Sequence, residues 1–182
     1  MNLWVSILLF LALECSAITD LQKAKLLSLH NDARLKVLKC QLPGQPSAKQ
    51  LLNLSWDDEL AEKAQRQSDT CQFGHNTNEE RITSKWRNWV GQNIAGNPAY
   101  ENGFAAWFNE YKDYNFRRKS CARVCGHYTQ IVWANTKAVG CGVTNCAGKP
   151  NFPYGMYLVC NYGPGGNYNN QYPYEAGDCV GR

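Results

Sequence analysis

The sequence predicts an α+β fold braced by disulfide bonds. Three observations predict it. Segments with helical periodicity occupy the first part of the chain, short β-branched and aromatic runs occupy the later part, and cysteines recur in an even number behind an apolar leader.

The leader runs from Val5 to Leu13 and is almost wholly apolar. At about 1.5 Å per residue, a helix of that length falls well short of the roughly 30 Å hydrocarbon core of a bilayer. Cys15-Ser16-Ala17 places small residues where a signal peptidase reads, so residues 1–17 are predicted to be a cleavable signal peptide and the protein to be secreted and extracellular. No Lys or Arg precedes the run, and an uncleaved anchor is the alternative reading. No other apolar stretch approaches membrane-spanning length.

Loss of Cys15 with the leader leaves eight of the nine cysteines: Cys40, Cys71, Cys121, Cys125, Cys141, Cys146, Cys160 and Cys179. In an exported chain an even count reads as a disulfide framework, with on the order of a hundred possible pairings. Cys121-x3-Cys125 and Cys141-x4-Cys146 would also suit zinc ligation, a reading that an oxidising compartment disfavours. The remaining chain, residues 18–182, has the usual size of one domain. Its formal net charge rises from +4 only by the loss of Glu14, too little to argue for nucleic acid. Asn53-Leu54-Ser55 is the only N-x-S/T sequon and a candidate glycan site.

The first helix is predicted over Asp20–Lys39, capped by Thr19 or Asp20, with Leu21, Ala24, Leu27, Asn31, Leu35 and Leu38 at helical spacing. The prolines of Gln41–Pro46 break the chain into a loop. A second helix is predicted over Asp57–Cys71, with Leu60, Ala61, Ala64 and Ser68 on one side. A third, Asn102–Tyr114, carries Phe104, Trp107, Phe108 and Tyr111 at i, i+3, i+4 and i+7. The period then changes: Tyr128–Ala134, Val139–Val143 and Tyr154–Tyr162 are predicted strands. From Gly163 to the end the chain reads as an irregular tail pinned by Cys179.

Two segments are more specific than any of these elements: Gly126-His-Tyr-Thr-Gln-Ile-Val-Trp133, followed by Thr136 and Val139-Gly-Cys-Gly142, and Tyr157-Leu-Val-Cys-Asn-Tyr-Gly-Pro-Gly-Gly-Asn-Tyr168. Both resemble the signature segments of the CAP superfamily, which groups cysteine-rich secretory proteins, antigen 5 venom allergens and plant pathogenesis-related proteins. His30-Asn31-x2-Arg34, Trp56-Asp57-x2-Leu60 and Cys71-x3-His75 also match, so the resemblance runs from about residue 21 to 168. With no long cysteine-rich extension the chain is similar to the CAP-only, venom-allergen-like members. Ser120-Cys-Ala-Arg-Val-Cys-Gly-His127 is similar to the plant branch. The resemblance implies a three-layer α-β-α sandwich with a short antiparallel sheet. It also implies disulfides Cys71–Cys146, Cys121–Cys125 and Cys141–Cys160, with Cys40–Cys179 as the remaining pair.

The resemblance further implies a cavity with two histidines and two acids. The matching positions are His75, Gln92, Glu110 and His127, and Gln92 stands where the family usually has Glu. That exchange removes a charge and a base while keeping hydrogen-bonding capacity. His75 and His127 are the candidate metal ligands, with zinc the cofactor they would suit, though none is required; Glu110 either completes the shell or bonds His127 and nearby backbone. His30 reads as structural. Catalysis is not expected. Paired cysteines leave no thiol nucleophile, and neither a Gly-x-Ser-x-Gly elbow nor a His-Glu-x2-His helix is present.

Phe108-x2-Tyr111-x4-Phe116, with Tyr114 interleaved, resembles the caveolin-binding-like loop through which CAP proteins are thought to hold sterols. Aromatic rings offer broad apolar faces to a flat ligand. Phe108 and Tyr111 read equally well as helix core. Arg117-Arg-Lys119 and Arg123 make the loop basic, which suits a solvated face, anionic lipid headgroups or a sulfated glycan. The function expected is therefore non-enzymatic binding of a sterol or fatty-acid-like ligand, with lipid transport or export as its use. The alternative is an immunomodulatory effector engaging a cell-surface or immune receptor. A metal-dependent hydrolase is a third reading.

Overall fold

The structure, a computed structural model, describes residues 18–179; the predicted signal peptide lies outside them. Thr19 caps the first helix, α1 (Asp20–Leu38), through a reciprocal box with Gln22: the Gln22 N–H donates to the threonine hydroxyl, and the Thr19 N–H donates to the glutamine side chain. The buried face of α1 is not the leucine stripe that periodicity favours. Leu26, His30, Ala33, Arg34 and Val37 are buried, whereas Leu21 is 80% exposed and Leu35 and Leu38 also face outward.

Burying His30 and Arg34 calls for partners for the polar atoms they bring inside, and all but Arg34 Nη2 have one. His30 bridges the Leu26 carbonyl at 2.7 Å and the Tyr162 hydroxyl at 2.9 Å. Arg34 donates to the carbonyls of Leu52, Ile131 and Trp133 at 2.7–3.0 Å. Burial pushes the His30 imidazole down to about 4, so it is neutral in the folded protein. The unfolded chain, with a histidine near 6.5, binds a proton that the folded chain does not. Stability should therefore be complete above pH 6.5 and decline as pH falls towards 4, by roughly 3 kcal/mol. Urea unfolding of wild type and His30→Gln across that window checks this. The variant should be less stable at neutral pH and show a shallower pH slope; equal slopes would refute the assignment.

Two short strands follow, β1 (Ser47–Ala48) and β2 (Ser55–Trp56), and then α2 (Asp58–Asp69), capped by Asp57, whose carboxylate accepts the Leu60 N–H at 3.0 Å. After a helical turn, α3 (Asn78–Arg81), come β3 (Gly91–Asn97) and α4 (Tyr100–Asn109), which tightens into a 3₁₀ turn at Glu110–Lys112. The hairpin β4 (Tyr114–Asn115) and β5 (Ser120–Cys121) leads to α5 (Gly126–Ile131). Strands β6 (Ala138–Asn145), β7 (Met156–Gly163) and β8 (Ala176–Gly177) complete the described chain.

The main sheet has the order β2-β6-β7-β3; its long pairs are antiparallel and the short β2–β6 pair is parallel. Helix α2 covers one face, and α1, α4 and α5 lie on the other, which makes the three-layer α-β-α sandwich. Alternation along β7 sends Tyr157 and Val159 towards Ala64 of α2, and Leu158, Cys160 and Tyr162 into the larger core on the opposite side. On β6 the α2-facing positions are Gly140 and Gly142, because a Cβ at either would meet the α2 backbone.

Three sequence expectations are corrected. Tyr128–Ala134 is not a strand: helix α5 covers Gly126–Ile131. Its β-branched residues favour a strand locally, but the tertiary contact described below caps it as a helix. The third helix begins at Tyr100 and closes at Asn109, with Tyr114 in a strand instead. Strand β3 shows no apolar alternation and was not foreseen. Pairing with β7 along its whole length, from Gly91 opposite Tyr162 to Asn97 opposite Met156, creates it. The tail likewise gains a strand, β8, paired with β1.

Disulfides join Cys40 to Cys179, Cys71 to Cys146, Cys121 to Cys125 and Cys141 to Cys160. They tie the end of α1 to the tail, α2 to the loop after β6, β5 to α5, and β6 to β7.

Candidate functional site

His75, Gln92, Glu110 and His127 form two pairs on either side of edge strand β3. The His75 Nδ1 lies 2.8 Å from Gln92 Oε1. Gln92 Nε2 in turn donates to Asn76 Oδ1 at 2.9 Å and to Asn161 Oδ1 at 3.0 Å. Asn161 is oriented by its own bond to the Leu60 carbonyl, so the chain of amides has a single sense. Gln92 presents its oxygen to His75, so the imidazole Nδ1–H donates to it. A glutamate at position 92 would set its carboxylate against two amide oxygens, and the surrounding network therefore matches the amide.

On the other side, Glu110 reaches α5. Its carboxylate lies 2.6 Å from His127 Nδ1 and accepts the backbone N–H groups of His127 and Tyr128 at 3.0 and 3.2 Å. Cys125, which precedes the helix, offers no side-chain cap, so Glu110 supplies one from a distant element. Trp107 stacks on His127 with ring centroids 5.9 Å apart, and Asn93 donates to the His127 carbonyl at 3.1 Å. The amide of Asn93 also donates to the Tyr162 hydroxyl, extending the network to His30. Sequence reasoning missed Asn76, Asn93 and Asn161. Of these, only Asn161 falls within a segment that carries the family resemblance.

No hydrogen bond joins the two pairs among the described residues, and His75 is exposed whereas Gln92 is buried. As a zinc site the donor set falls short. Glu110 is occupied as helix cap and imidazole partner, which leaves two Nε2 atoms where structural and catalytic zinc sites use three or four protein ligands. Among the described residues no group of three or more His, Cys, Asp or Glu is placed to hold a metal ion. A His–carboxylate pair needs a nucleophile beside it to drive acyl transfer. Among the described residues no Ser, Thr or Cys side chain bonds to either imidazole, and all eight cysteines are paired.

The four aromatic positions divide. Phe108 and Tyr111 pack on Tyr128, with centroids 6.1 and 6.2 Å away, and belong to the margin of the core. Tyr114, buried in the core with its ring 6.1 Å from that of Tyr128, and Phe116, at the core margin, sit on the β4–β5 hairpin and border grooves. Phe116 stacks on Tyr172 at 4.8 Å and lies 4.9 Å from Tyr174, both contributed by the tail. A groove of about 680 Å³ opens on one side of this stack, between Phe116, Trp133 and Tyr174. Another of about 650 Å³ opens on the other, between Tyr114, Phe116, Arg117 and Tyr172. Burial pushes Tyr114 and Tyr174 each up to about 12, so both remain neutral. His75, Gln92, Glu110 and His127 line neither groove. Tyr172 and Tyr174 carried no helical or strand-like signal, and their membership was not legible. Asn53 is exposed just before β2.

The profile of the CAP, or cysteine-rich secretory protein, family matches residues 27–162. Venom allergen 5 of Vespula maculifrons is 44% identical over 174 residues, covering 87% of this chain and 74% of its own length. Scoloptoxin SSD976 of Scolopendra dehaani is 39% identical, with 85% and 74% covered. Among solved structures, venom allergen-like protein 4 of Schistosoma mansoni superposes with a TM-score of 0.79 at 35% identity, covering 89% of this chain and 98% of that one. A structure of NaASP2 with Zn²⁺ gives 0.74 at 27% identity, with 90% of each chain covered.

Proposed function

Because the chain belongs to the cysteine-rich secretory protein family, we propose that it is a secreted, non-enzymatic protein that binds a sterol or related lipid in the grooves flanking Phe116. Lipid carriage between membranes is the use that such binding would serve. The observation that supports this reading is the aromatic wall of Tyr114, Phe116, Tyr172 and Tyr174 beside grooves of about 680 and 650 Å³. That size falls within the roughly 300–1,000 Å³ typical of small-molecule sites. Rings locked by mutual stacking lose little freedom when a flat apolar ligand covers them. Secretion agrees with the four disulfides and with the leader, and no helix among the described residues is long and apolar enough to cross a membrane.

Binding of labelled cholesterol to the oxidised protein tests the reading. Replacing both Phe116 and Tyr172 by alanine should weaken binding at least about tenfold, since each buried ring contributes on the order of 1 kcal/mol or more. Phe108→Leu, at the core margin, should leave affinity nearly unchanged. Absence of binding by wild type, or equal affinity in the double variant, would overturn the proposal.

A further inference from the structure

The hairpin that carries Phe116 also carries most of the cations nearby. Residues 111–125 hold Lys112, Arg117, Arg118, Lys119 and Arg123 against a single carboxylate, Asp113, and Glu110 just before them is committed to α5. Arg123 is paired with Asp113 at 3.1 Å. Lys119 is pinned to the tail, donating to the Asn170 carbonyl at 2.8 Å and lying 4.8 Å from the Tyr172 ring. Arg117 and Arg118 are exposed at the hairpin tip and have no ion-pair partner among the described residues.

These charges lie beside apolar surface. Lys112 and Arg117 rim the same groove that Tyr114, Phe116 and Tyr172 line. Tyr172 is 44% exposed, and Val124, on the segment returning from the hairpin, is 63% exposed. Unpaired cations next to exposed aromatic and aliphatic groups match the boundary between lipid headgroups and acyl chains. The cations meet anionic headgroups while the apolar groups enter beneath them. A sulfated glycan would satisfy the charges but offers no apolar layer to the rings, so the combination favours a bilayer.

We propose that the β4–β5 hairpin is a docking surface for anionic membranes and seats the Phe116–Tyr172 groove against the bilayer. Its purpose rests on the lipid-binding reading above, since docking would let a ligand pass without crossing open water. The cations also act at long range, drawing the protein to a negative surface over about a Debye length.

Co-sedimentation with phosphatidylcholine vesicles, with and without about 30% phosphatidylserine, tests it. Binding should require phosphatidylserine and fade between about 50 and 300 mM salt. Arg117→Ser/Arg118→Ser should weaken binding about thirtyfold, from roughly 1 kcal/mol for each cation near the surface, and lysine at both positions should restore most of it. Arg118→Ser alone, at a residue that lines neither groove, should weaken vesicle binding while leaving cholesterol binding in solution at the wild-type level. Equal binding to neutral vesicles, or retention on heparin with no vesicle binding, would overturn the proposal. Vesicle binding by a protein that holds no cholesterol would support docking and remove the lipid-carrier reading alone.

Discussion

Gly142→Ala is expected to destabilise the protein by roughly 4 kcal/mol and to lower its melting temperature by about 10 °C or more. A Cβ at this position falls within contact of Gln65 Cα and N and 2.7 Å from the Ala64 carbonyl carbon. These are backbone atoms of α2, so no side chain can swing aside and the whole helix must lift from the sheet. Separation would disturb the packing of Ala64 on Tyr157 and Val159, and the bonds of Gln65 to the Val143 backbone. Gly140→Ala should behave alike, with the Leu60 carbonyl carbon 2.7 Å away. Gly74→Ala, where a Cβ meets nothing within 4 Å, serves as the neutral control. Calorimetry of the three variants checks the argument, and a Gly142→Ala protein as stable as Gly74→Ala would refute it.

Arg34→Met should be comparably damaging. The guanidinium is fully buried and fastens three carbonyls, at Leu52, Ile131 and Trp133, that belong to two distant parts of the chain. Burial lowers it to about 10, still charged at neutral pH, and its compensation comes from carbonyl dipoles because no carboxylate pairs with it among the described residues. Methionine restores much of the volume but leaves the carbonyls without donors, a loss of roughly 3–5 kcal/mol. Lysine keeps the charge yet cannot span three acceptors with the planar fork, so Arg34→Lys should recover less than half of that loss. Urea unfolding of both variants measures it; a methionine variant within about 1 kcal/mol of wild type would show that the fork is dispensable.

The two substitutions act on different kinds of information. Gly142 could be noticed in the sequence, within Val139-Gly-Cys-Gly142, but nothing local says that helix α2 lies on it. Arg34 falls outside the leucine stripe that helical periodicity assigns to the inner side of α1. Its burial depends on carbonyls roughly a hundred positions away in the chain, which no helical periodicity can report.

What the sequence determined by itself are the features written in neighbouring residues. Thr19 with Gln22 and Asp57 with Leu60 set the starts of α1 and α2, because a cap and its partner lie within one turn. The β-branched and aromatic runs around Val139–Val143 and Tyr154–Tyr162 predicted two strands that the sheet contains, and the ordered motifs predicted the family and its sandwich. Tertiary structure alone decided the rest. It made Gly126–Ile131 a helix by bringing Glu110 to its first turn, and made β3 a strand by pairing it with β7. It also turned α1 about its axis so that His30 and Arg34 face inward. At the aromatic hairpin, tail residues Tyr172 and Tyr174 were carried to Phe116, while Phe108 and Tyr111 were drawn back to the core margin. In each case the deciding partner is distant in sequence, and its hydrogen bonds or packed surface outweigh the few tenths of a kcal/mol by which local propensity separates helix from strand.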